Sequence, residues 1–400
     1  QQNFGEDLIF GYRNGPIYYW DATNDLSTRA VELSSLSGAS AVPTIQNFIL
    51  VSDINRFVFC FGTTPIGSAT KDPMIIRWSD QEDATNWTPA ATNQAGSLRL
   101  SRGTEIVAAA QARQEVLVWT DSSLYSLQYV GAGSGVWAAQ LVGEQISIAS
   151  QNSVAYASGV SYWMGKDKFY KYDGSTQPLQ CDLRKYVFTD FNTEQYNQVF
   201  GGSNEAFNEV WWFYCSSSAT DNDRYVVYNY LEDIWYYGSM ARSAWLDSGL
   251  RAFPLAATFN SVLVNHEEGV DDNETATTAA ISAFITSADF DLEDGDRYML
   301  MSRVLPDVSF EGSTASNPAI TMSFFPLTSS GSGYNDPTSE SGVSTGTATR
   351  SATSPVEVYT SQIHTRVRGR QVSMKIESSA EGVQWQSGAP RIDLRPDGRR

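Results

Sequence analysis

Histidine and cysteine, the residues that most often bind metals or act as catalytic bases and nucleophiles, are scarce in this sequence of 400 residues. His266 and His364 are its two histidines, so a histidine-rich metal site is excluded and a Ser-His-Asp triad has two candidates for its base. The three cysteines, Cys60, Cys181 and Cys215, are widely spaced, and no CxxC motif occurs. An odd number of distant cysteines predicts buried free thiols instead of disulfides or a zinc knuckle.

Carboxylates are abundant, with 45 aspartate and glutamate residues. Glycoside hydrolysis needs two carboxylates about 5–9 Å apart. Pairs such as Glu82 with Asp83, or Asp291 with Glu293, are too common here to indicate such a site. Residues 79–87 resemble the Asp-box of sialidases, but they lack its glycine two positions after the aspartate and do not recur. We therefore expect this segment to be a polar turn after a strand.

Two other acidic segments resemble cation sites only superficially. In residues 289–296, a calcium loop would need glycine at its sixth position and a carboxylate at its twelfth, where Asp294 and Leu300 stand. A tight Asp-Gly hairpin is the better interpretation. His266 lies beside two glutamates, and we interpret that segment as a solvated linker.

Nucleotide-binding and nucleophile motifs are missing from the sequence, which contains no GxSxG, Walker A or GxGxxG pattern. The glycine-rich residues 131–135 lack the lysine and the following helix that phosphate binding uses, so we interpret them as a loop between strands. We therefore expect no catalytic, cofactor-binding or metal-binding residues, and we expect that the protein is not an enzyme.

Three arginines near the C-terminus alternate along the chain. Arg366, Arg368 and Arg370 would project from one face of a strand, because successive side chains of a strand point to opposite sides. Apolar residues continue the same alternation after Gly369, which indicates a kink there or an arginine surface that contacts a partner. Guanidinium groups bind carboxylates through two parallel hydrogen bonds. These arginines are the candidate subunit or partner interface, and a charged, exposed strand is the alternative.

Short strands separated by turns are the dominant pattern of the chain. Asn14-Gly15 between two apolar runs is a strong hairpin signal, because both positions tolerate positive φ. An aromatic strand end next to an acidic or turn residue, as at Trp20 and Trp78, recurs about every 40–60 residues, the spacing of β-propeller blades. We therefore predict an all-β chain with a β-propeller of about six blades in residues 1–270. A large β-sandwich or an irregular all-β domain is the alternative.

The composition changes near residue 270. The acidic, turn-like residues 267–274 predict a domain boundary, and six apolar runs within residues 271–400 predict a β-sandwich-like accessory domain. Residues 328–355 are a predicted long loop, because residues 328–354 include 14 serine or threonine and 4 glycine residues.

The net charge is −18, from 27 basic and 45 acidic residues. Ordinary DNA-binding domains need a basic surplus, so that class is disfavoured. Residues 361–400 are a local exception, with eight basic and four acidic residues. No apolar run approaches the roughly 20 residues of a membrane-spanning helix, and no signal peptide is recognisable. We therefore expect synthesis in a reducing cytoplasm and no membrane-spanning segment.

Six short segments, spread over nearly the whole chain, carry a resemblance to a known family. They are residues 3–9, 15–21, 77–87, 290–297, 366–370 and 390–400. Together they are similar to the tail nozzle proteins of podophages, also called tail tubular protein B or packaged-DNA stabilisation protein. The resemblance implies a β-propeller with appended β domains, six copies in a ring at the distal end of the tail, and an axial channel for DNA.

The expected function is therefore a structural component of a bacteriophage tail, assembled in the host cytoplasm and located in the virion tail. Its expected partners are further copies in a homo-hexameric ring, tail adaptor or portal-side proteins, and tail fibres. DNA would pass through the channel without sequence-specific binding, because an acidic wall repels phosphate. A carbohydrate-binding or carbohydrate-active β-propeller and a host-contact tail fibre protein are the alternatives.

Overall fold

The structure, a computed structural model, describes residues 1–131, 135–249, 251–293, 295–327 and 351–398. It divides into two compact units, Gln1–Leu263 and Val264–Arg400, a few residues before the predicted boundary at residue 270. Each unit has its own buried core. Within the described ranges, no helix is long and apolar enough to cross a lipid bilayer.

The first unit consists of six antiparallel sheets, each built from strands that follow one another along the chain. Sheet one contains β1 (Gln2–Phe4), β2 (Asp7–Gly11), β3 (Ile17–Trp20) and β4 (Val31–Glu32). Sheet two contains β5 (Phe48–Val51), β6 (Val58–Phe61), β7 (Ile75–Trp78) and β8 (Gly96–Arg99). Sheet three contains β9 (Ile106–Gln111), β10 (Glu115–Thr120), β11 (Ser123–Gly131) and β12 (Val136–Glu144).

The remaining sheets of this unit continue the same order. Sheet four contains β13 (Val154–Ala157), β14 (Val160–Met164), β15 (Phe169–Tyr172) and β16 (Thr176–Pro178). Sheet five contains β17 (Phe200–Asn204), β18 (Glu209–Tyr214), β19 (Arg224–Asn229) and β20 (Ile234–Ser239). Sheet six has three strands, β21 (Ala244–Leu246), β22 (Leu255–Ala257) and β23 (Leu263–Asn265), and the boundary between the units falls after the first residue of β23.

Tight turns and short helices connect these strands. Asn14 has a left-handed backbone conformation, with a φ of 61°, in the turn between β2 and β3, as the Asn14-Gly15 pair predicts. The connection between β16 and β17 contains α1 (Arg184–Thr189) and the 3-10 helix Thr193–Gln198. Two further 3-10 helices, Leu33–Ser35 and Glu205–Phe207, follow β4 and β17.

Aromatic side chains pack sheets two to six against one another in sequence order. Phe59 of sheet two meets Trp137 of sheet three edge-on, with the ring centres 4.9 Å apart. Equivalent contacts are Trp119 with Trp163 (sheets three and four, 5.2 Å), Phe169 with Trp212 (sheets four and five, 5.0 Å) and Trp211 with Trp245 (sheets five and six, 5.2 Å). Each ring buries a large apolar area. The aromatic residues of the sequence therefore stabilise the packing between the sheets.

The first strands of neighbouring sheets also contact one another, as β1 does with β5, β13 with β17 and β17 with β21. A parallel bridge joins Asn152, just before β13, to Phe200 at the start of β17, so these first strands run in the same direction. Consecutive antiparallel sheets that stack with parallel first strands form a β-propeller. The predicted propeller of about six blades is confirmed.

The second unit is a sandwich of two antiparallel sheets. One has the order β26 (Ala283–Thr286), β33 (Gln371–Ser378), β30 (Ala319–Leu327) and β31 (Ala352–Glu357), and β27 (Phe290–Asp291) also pairs with β33. The other has the order β32 (Ile363–Gly369), β28 (Met299–Leu305) and β35 (Arg391–Pro396). Two short ladders join β24 (Asp271–Asp272) to β25 (Ala279–Ala280) and β29 (Val308–Ser309) to β34 (Gln386–Ser387).

The core of this unit lies between its two larger sheets. Met301 and Val367 enter it from the three-stranded sheet, and Met322, Phe324 and Ile376 enter it from the other. Each of these five side chains is at most 2% exposed. The predicted β-sandwich-like domain is thereby confirmed.

The prediction of a loop over residues 328–355 is wrong for its last residues. Strand β31 begins at Ala352, which lies opposite Phe324, and Val356 lies opposite Ile320. Thr353 and Pro355 are exposed on the outer side of this edge strand, where such residues are tolerated, so its composition resembles that of a loop. The remainder of the predicted loop, residues 328–350, lies outside the described residues.

The predicted kink at Gly369 is confirmed. Strand β32 ends at Gly369 in one sheet of the sandwich, and β33 begins at Gln371 in the other. A side chain at position 369 would place its Cβ 2.8 Å from the carbonyl oxygen of Gln371 and 3.0 Å from that of Leu327. Glycine is therefore required where the chain crosses between the sheets.

Candidate interaction surfaces

The three cysteines are free thiols, as the sequence predicts. Cys60 and Cys215 are buried and Cys181 is partly buried. Burial raises the pKa of the Cys60 and Cys181 thiols to about 12 and that of Cys215 to about 11. A thiol with a raised pKa is a weak nucleophile at neutral pH, because the thiolate is the reactive form.

Residues 79–87 form the polar turn that the sequence predicts. The Asp80 carboxylate accepts hydrogen bonds from the backbone N–H groups of Gln81 and Gln94, at 2.9 and 2.8 Å. Trp78 and Trp87, at 2% and 0% exposed, are buried on either side of the turn. The segment therefore stabilises sheet two, and the Asp80 carboxylate organises the backbone of its own turn.

The segment that resembles a calcium loop differs from the predicted hairpin. Strand β27 pairs with β33 in one sheet of the sandwich, while β28, which follows, lies in the other sheet. Glu293 and Gly295 have positive φ angles of 60° and 74° in the turn between them. This turn carries the chain between the sheets and so joins strands that do not pair. Among the described residues, no group of three or more histidine, cysteine, aspartate or glutamate side chains is arranged to hold a metal ion.

The candidate arginines Arg366 and Arg368 lie on the outer side of β32. Their neighbour Val367 points into the core and is 1% exposed, whereas both arginines are exposed. Arg370 departs from the prediction, because it follows β32 at the crossing between sheets and is only partly exposed. Its guanidinium nevertheless lies 5.3 Å from the centre of the Tyr298 ring, which Arg368 also covers at 4.2 Å.

Strand register brings three further arginines to the same side of the sheet. Leu300 of β28 lies between Arg368 of β32 and Arg395 of β35. Arg303 lies opposite Asp393, and Leu305 lies opposite Arg391. We call this outer side the arginine face: it consists of Arg303, Arg366, Arg368, Arg391 and Arg395.

Among the residues that the structure describes, two aspartates lie against the arginine face and partly neutralise it. Asp393 lies 3.9 Å from Arg303 and 3.6 Å from Arg395, and Asp397 forms an ion pair with Arg368. Exposed ion pairs of this kind contribute little to stability. In the described ranges, five guanidinium groups face two carboxylates, which makes this surface positive on a chain whose net charge is −18.

Sequence reasoning missed Arg303, Arg391 and Arg395 as members of this surface. The available signal was the basic surplus of residues 361–400, which includes Arg391 and Arg395. Nothing local in the sequence connects these residues to Arg303, because the pairing of β28 with β32 and β35 decides their proximity.

The propeller has an opposite charge at one of its two ends. Since the first strands are parallel, the connections from first to second and from third to fourth strands lie at one end, which we call the acidic end. These connections carry twelve acidic residues, Glu6, Asp21, Asp25, Asp53, Asp80, Glu82, Asp83, Asp173, Glu205, Glu232, Asp233 and Asp247, and four basic residues, Arg29, Arg56, Arg113 and Arg251. Asp247 of sheet six accepts hydrogen bonds from Ser203 and Glu205 of sheet five there.

The other end of the propeller is nearly balanced. Its connections carry nine acidic residues, Asp72, Glu105, Asp121, Asp167, Asp182, Asp190, Glu194, Asp221 and Asp223, and eight basic residues, Arg13, Lys71, Arg102, Lys166, Lys168, Arg184, Lys185 and Arg242. Opposite charges pair across this end, as Arg13 does with Glu105 at 3.5 Å and Arg184 with Asp167 at 3.4 Å. The propeller therefore has one strongly anionic end.

The fold places the chain in the class of β-propeller proteins with a C-terminal β-sandwich-like domain. It is similar to Hsv2 from Kluyveromyces lactis, at 10% identity and a TM-score of 0.37, over 66% of this chain and 71% of that one. It is also similar to the dihydro-heme d1 dehydrogenase NirN in complex with DHE, at 13% identity and a TM-score of 0.39, over 75% of this chain and 59% of that one. No protein-family model and no curated protein matches the chain.

Proposed function

We propose that this chain is a structural component of a bacteriophage tail, a ring-forming nozzle that retains packaged DNA and forms the channel for its ejection. The six sequence segments similar to podophage nozzle proteins support the proposal. Several of them build the folded framework: residues 77–87 contain the buried Trp78 and Trp87, and residues 15–21 contain β3. The similarity therefore concerns residues that the fold needs.

The observation that carries the proposal is the distribution of charge over rigid β domains. An anionic end of the propeller repels the phosphate backbone, so a duplex near it slides without being held. The arginine face provides a separate surface of opposite sign, which suits contacts with acidic protein neighbours in an assembly. In this proposal those neighbours are further copies in a hexamer, tail adaptor or portal-side proteins, and tail fibres.

Native mass spectrometry of the purified chain, followed by electron microscopy of the phage particles that contain it, tests the proposal. We expect a closed ring of six copies, located at the distal end of the tail. A chain that stays monomeric at all concentrations and is absent from the tail would overturn the proposal. Specific binding on a glycan array, or hydrolysis of a glycan, would favour a carbohydrate-directed propeller instead.

A further inference from the structure

We infer that the arginine face of one copy docks on the acidic end of the propeller of a second copy. The inference deepens the proposed ring-forming function and rests on it, because a ring needs two different surfaces that fit each other. The proposed nozzle gives the arginine face several candidate neighbours and gives the acidic end no protein partner. The inference names that partner as another molecule of the same chain. The contact uses four of the twelve acidic residues of that end, and the other eight keep it anionic.

The arginine face has guanidinium groups available for this contact. Arg366 and Arg391 are exposed and make no hydrogen bond or ion pair within the described part of the chain. The side chain of Arg395 is 70% exposed, although it lies near Asp393. Guanidinium groups favour planar carboxylate partners, which they bind through two parallel hydrogen bonds. The surface is therefore complementary to exposed aspartate and glutamate side chains.

The acidic end presents such carboxylates. Glu6, Asp53, Glu82 and Glu232 are exposed at turns of sheets one, two and five. In the described residues, their carboxylates make no hydrogen bond or ion pair. Other acids of this end, such as Asp21, accept hydrogen bonds from their own turns, and the hydrogen bonds from Thr23 lower its pKa. The lowered pKa favours the ionised form of Asp21, which adds to the negative charge of this end.

Charge complementarity favours a head-to-tail contact over a symmetric one. Two arginine faces brought together would repel each other, and so would two acidic ends. A single contact between an arginine face and an acidic end leaves one unused surface on each molecule, whereas a two-fold dimer would use both surfaces of both copies. Such a heterologous contact repeats, and it forms a closed ring when the rotation between copies closes.

The contact must also be sensitive to salt. Exposed ion pairs are individually worth about 0–1 kcal/mol, so several must act together. The Debye length falls from about 10 Å at 0.1 M salt to about 3 Å at 1 M salt. We therefore expect self-association to weaken at least about tenfold between about 0.1 and 1 M sodium chloride. An association that salt leaves unchanged would contradict the inference.

Two complementary sets of neutral substitutions test the pairing directly. The first variant carries Arg366→Gln, Arg391→Gln and Arg395→Gln, and the second carries Glu6→Gln, Asp53→Asn, Glu82→Gln and Glu232→Gln. Each variant alone lacks one partner of the contact, so we expect each to be monomeric by native mass spectrometry. Their mixture retains one intact contact, between the acidic end of the first variant and the arginine face of the second. We expect the mixture to form a 1:1 dimer and nothing larger.

A matched control changes three basic residues at the other end of the propeller. It carries Arg102→Gln, Lys166→Gln and Lys185→Gln, and it alters the net charge as much as the first variant does. We expect this control to associate like the unmodified chain. Circular dichroism and thermal unfolding show whether each variant is folded, because all substituted side chains are exposed.

Several outcomes would overturn the inference. Variants that associate like the unmodified chain, or a mixture that forms no dimer, exclude this contact. A labelled DNA duplex that the unmodified chain binds, and that the first variant does not bind, assigns the arginine face to nucleic acid. If the first variant changes the hydrodynamic radius of the monomer, the arginine face makes a contact within one chain.

The proposed function and the inference can fail separately. A 1:1 dimer from the mixture, together with absence of the chain from phage tails, would support the contact and refute the nozzle. Rings at the tail tip that both variants still form would support the nozzle and refute this contact.

Discussion

The guanidinium of Arg368 lies 4.2 Å from the centre of the Tyr298 ring. Arg368 also donates a hydrogen bond to the backbone carbonyl of Asp397, at 3.2 Å, and forms an ion pair with its carboxylate. The backbone of Tyr298 in turn bonds to that of Asp397 and Gly398, at 2.7 and 2.8 Å. One arginine thus connects β32 to the segments next to β28 and β35, and its side chain is held across the arginine face.

Replacing Tyr298 by leucine removes the ring beneath Arg368 but keeps an apolar side chain. Cation–π contacts at exposed sites are worth about 0.5–1 kcal/mol, and we expect a loss of stability of that size in the second unit. Urea unfolding measures it, and Tyr359→Leu is the control, because Tyr359 is 93% exposed. A double-mutant cycle with Arg368→Gln isolates the contact, and a coupling energy of zero would contradict it.

Replacing Gly369 by alanine places a methyl group against two backbone carbonyl oxygens, at 2.8 and 3.0 Å. Neither oxygen can move without shifting β30 or β33, so we expect a destabilisation of about 1–3 kcal/mol. The matched control is Arg366→Ala on the outer side of β32, which should change stability by less than about 0.5 kcal/mol. Equal unfolding midpoints for the two variants would show that the crossing accommodates a side chain.

Replacing Arg77 by lysine tests a buried guanidinium in sheet two. Arg77 is 2% exposed and donates hydrogen bonds to the carbonyl oxygens of Thr64, Ala41 and Trp87. A lysine ammonium lacks the planar fork that reaches all three, so at least one buried carbonyl loses its partner. We expect a loss of about 1–3 kcal/mol in the unfolding of the propeller.

The control for this change is Arg102→Lys in the same unit. The Arg102 side chain is 66% exposed and lies 3.4 Å from Glu144. Because exposed ion pairs contribute about 0–1 kcal/mol, the control should unfold almost like the unmodified chain. If Arg77→Lys lowers the free energy of unfolding no more than the control does, the three carbonyl oxygens do not need the guanidinium as their hydrogen-bond donor.

The thiols are predicted to be unreactive in the folded protein. Burial raises the pKa of Cys60 to about 12 and that of Cys215 to about 11, so at pH 8 both remain protonated as well as covered. We expect Ellman's reagent to titrate neither of them before unfolding, and all three thiols in urea. A Tyr359→Cys variant, with an exposed thiol, is the positive control. Rapid reaction of Cys60 in the folded protein would contradict its burial.

The same pKa shifts give a direction for the dependence of stability on pH. A thiol whose pKa is higher in the folded protein than its ordinary value of 9.0 holds its proton more tightly when folded. Its stabilising contribution is present below the ordinary pKa of 9.0 and is lost as the pH rises through the folded pKa. We therefore expect the free energy of unfolding to fall as the pH rises from about 9 toward about 12. A Cys181→Ala variant should show a shallower decline.

Local signals in the sequence predicted the type of structure well. The Asn14-Gly15 turn, the short apolar runs and the recurring aromatic strand ends are properties of neighbouring residues, and they indicated an all-β chain with a propeller. The kink at Gly369 was also readable, because the side-chain alternation changes character there. These predictions succeeded since a hairpin or a kink depends on a few adjacent φ and ψ angles.

The pairing between distant segments could not be predicted from such local signals. Residues 352–355 have the composition of a loop, yet they form a strand because β30 offers them a partner. Arg370, predicted to share a face with Arg366, instead lies where the chain leaves one sheet for the other. In both cases the environment supplied by the rest of the fold outweighed the local pattern.

The sequence by itself determined the fold class, the acidity of the chain and the local basic surplus at its C-terminal end. Only the tertiary structure decided that Arg303, Arg391 and Arg395 join Arg366 and Arg368 on one face, and that acidic turns collect at one end of the propeller. The reason is geometric. Charge is a property of each residue, whereas a charged surface depends on strand order and register, which join residues far apart in the chain.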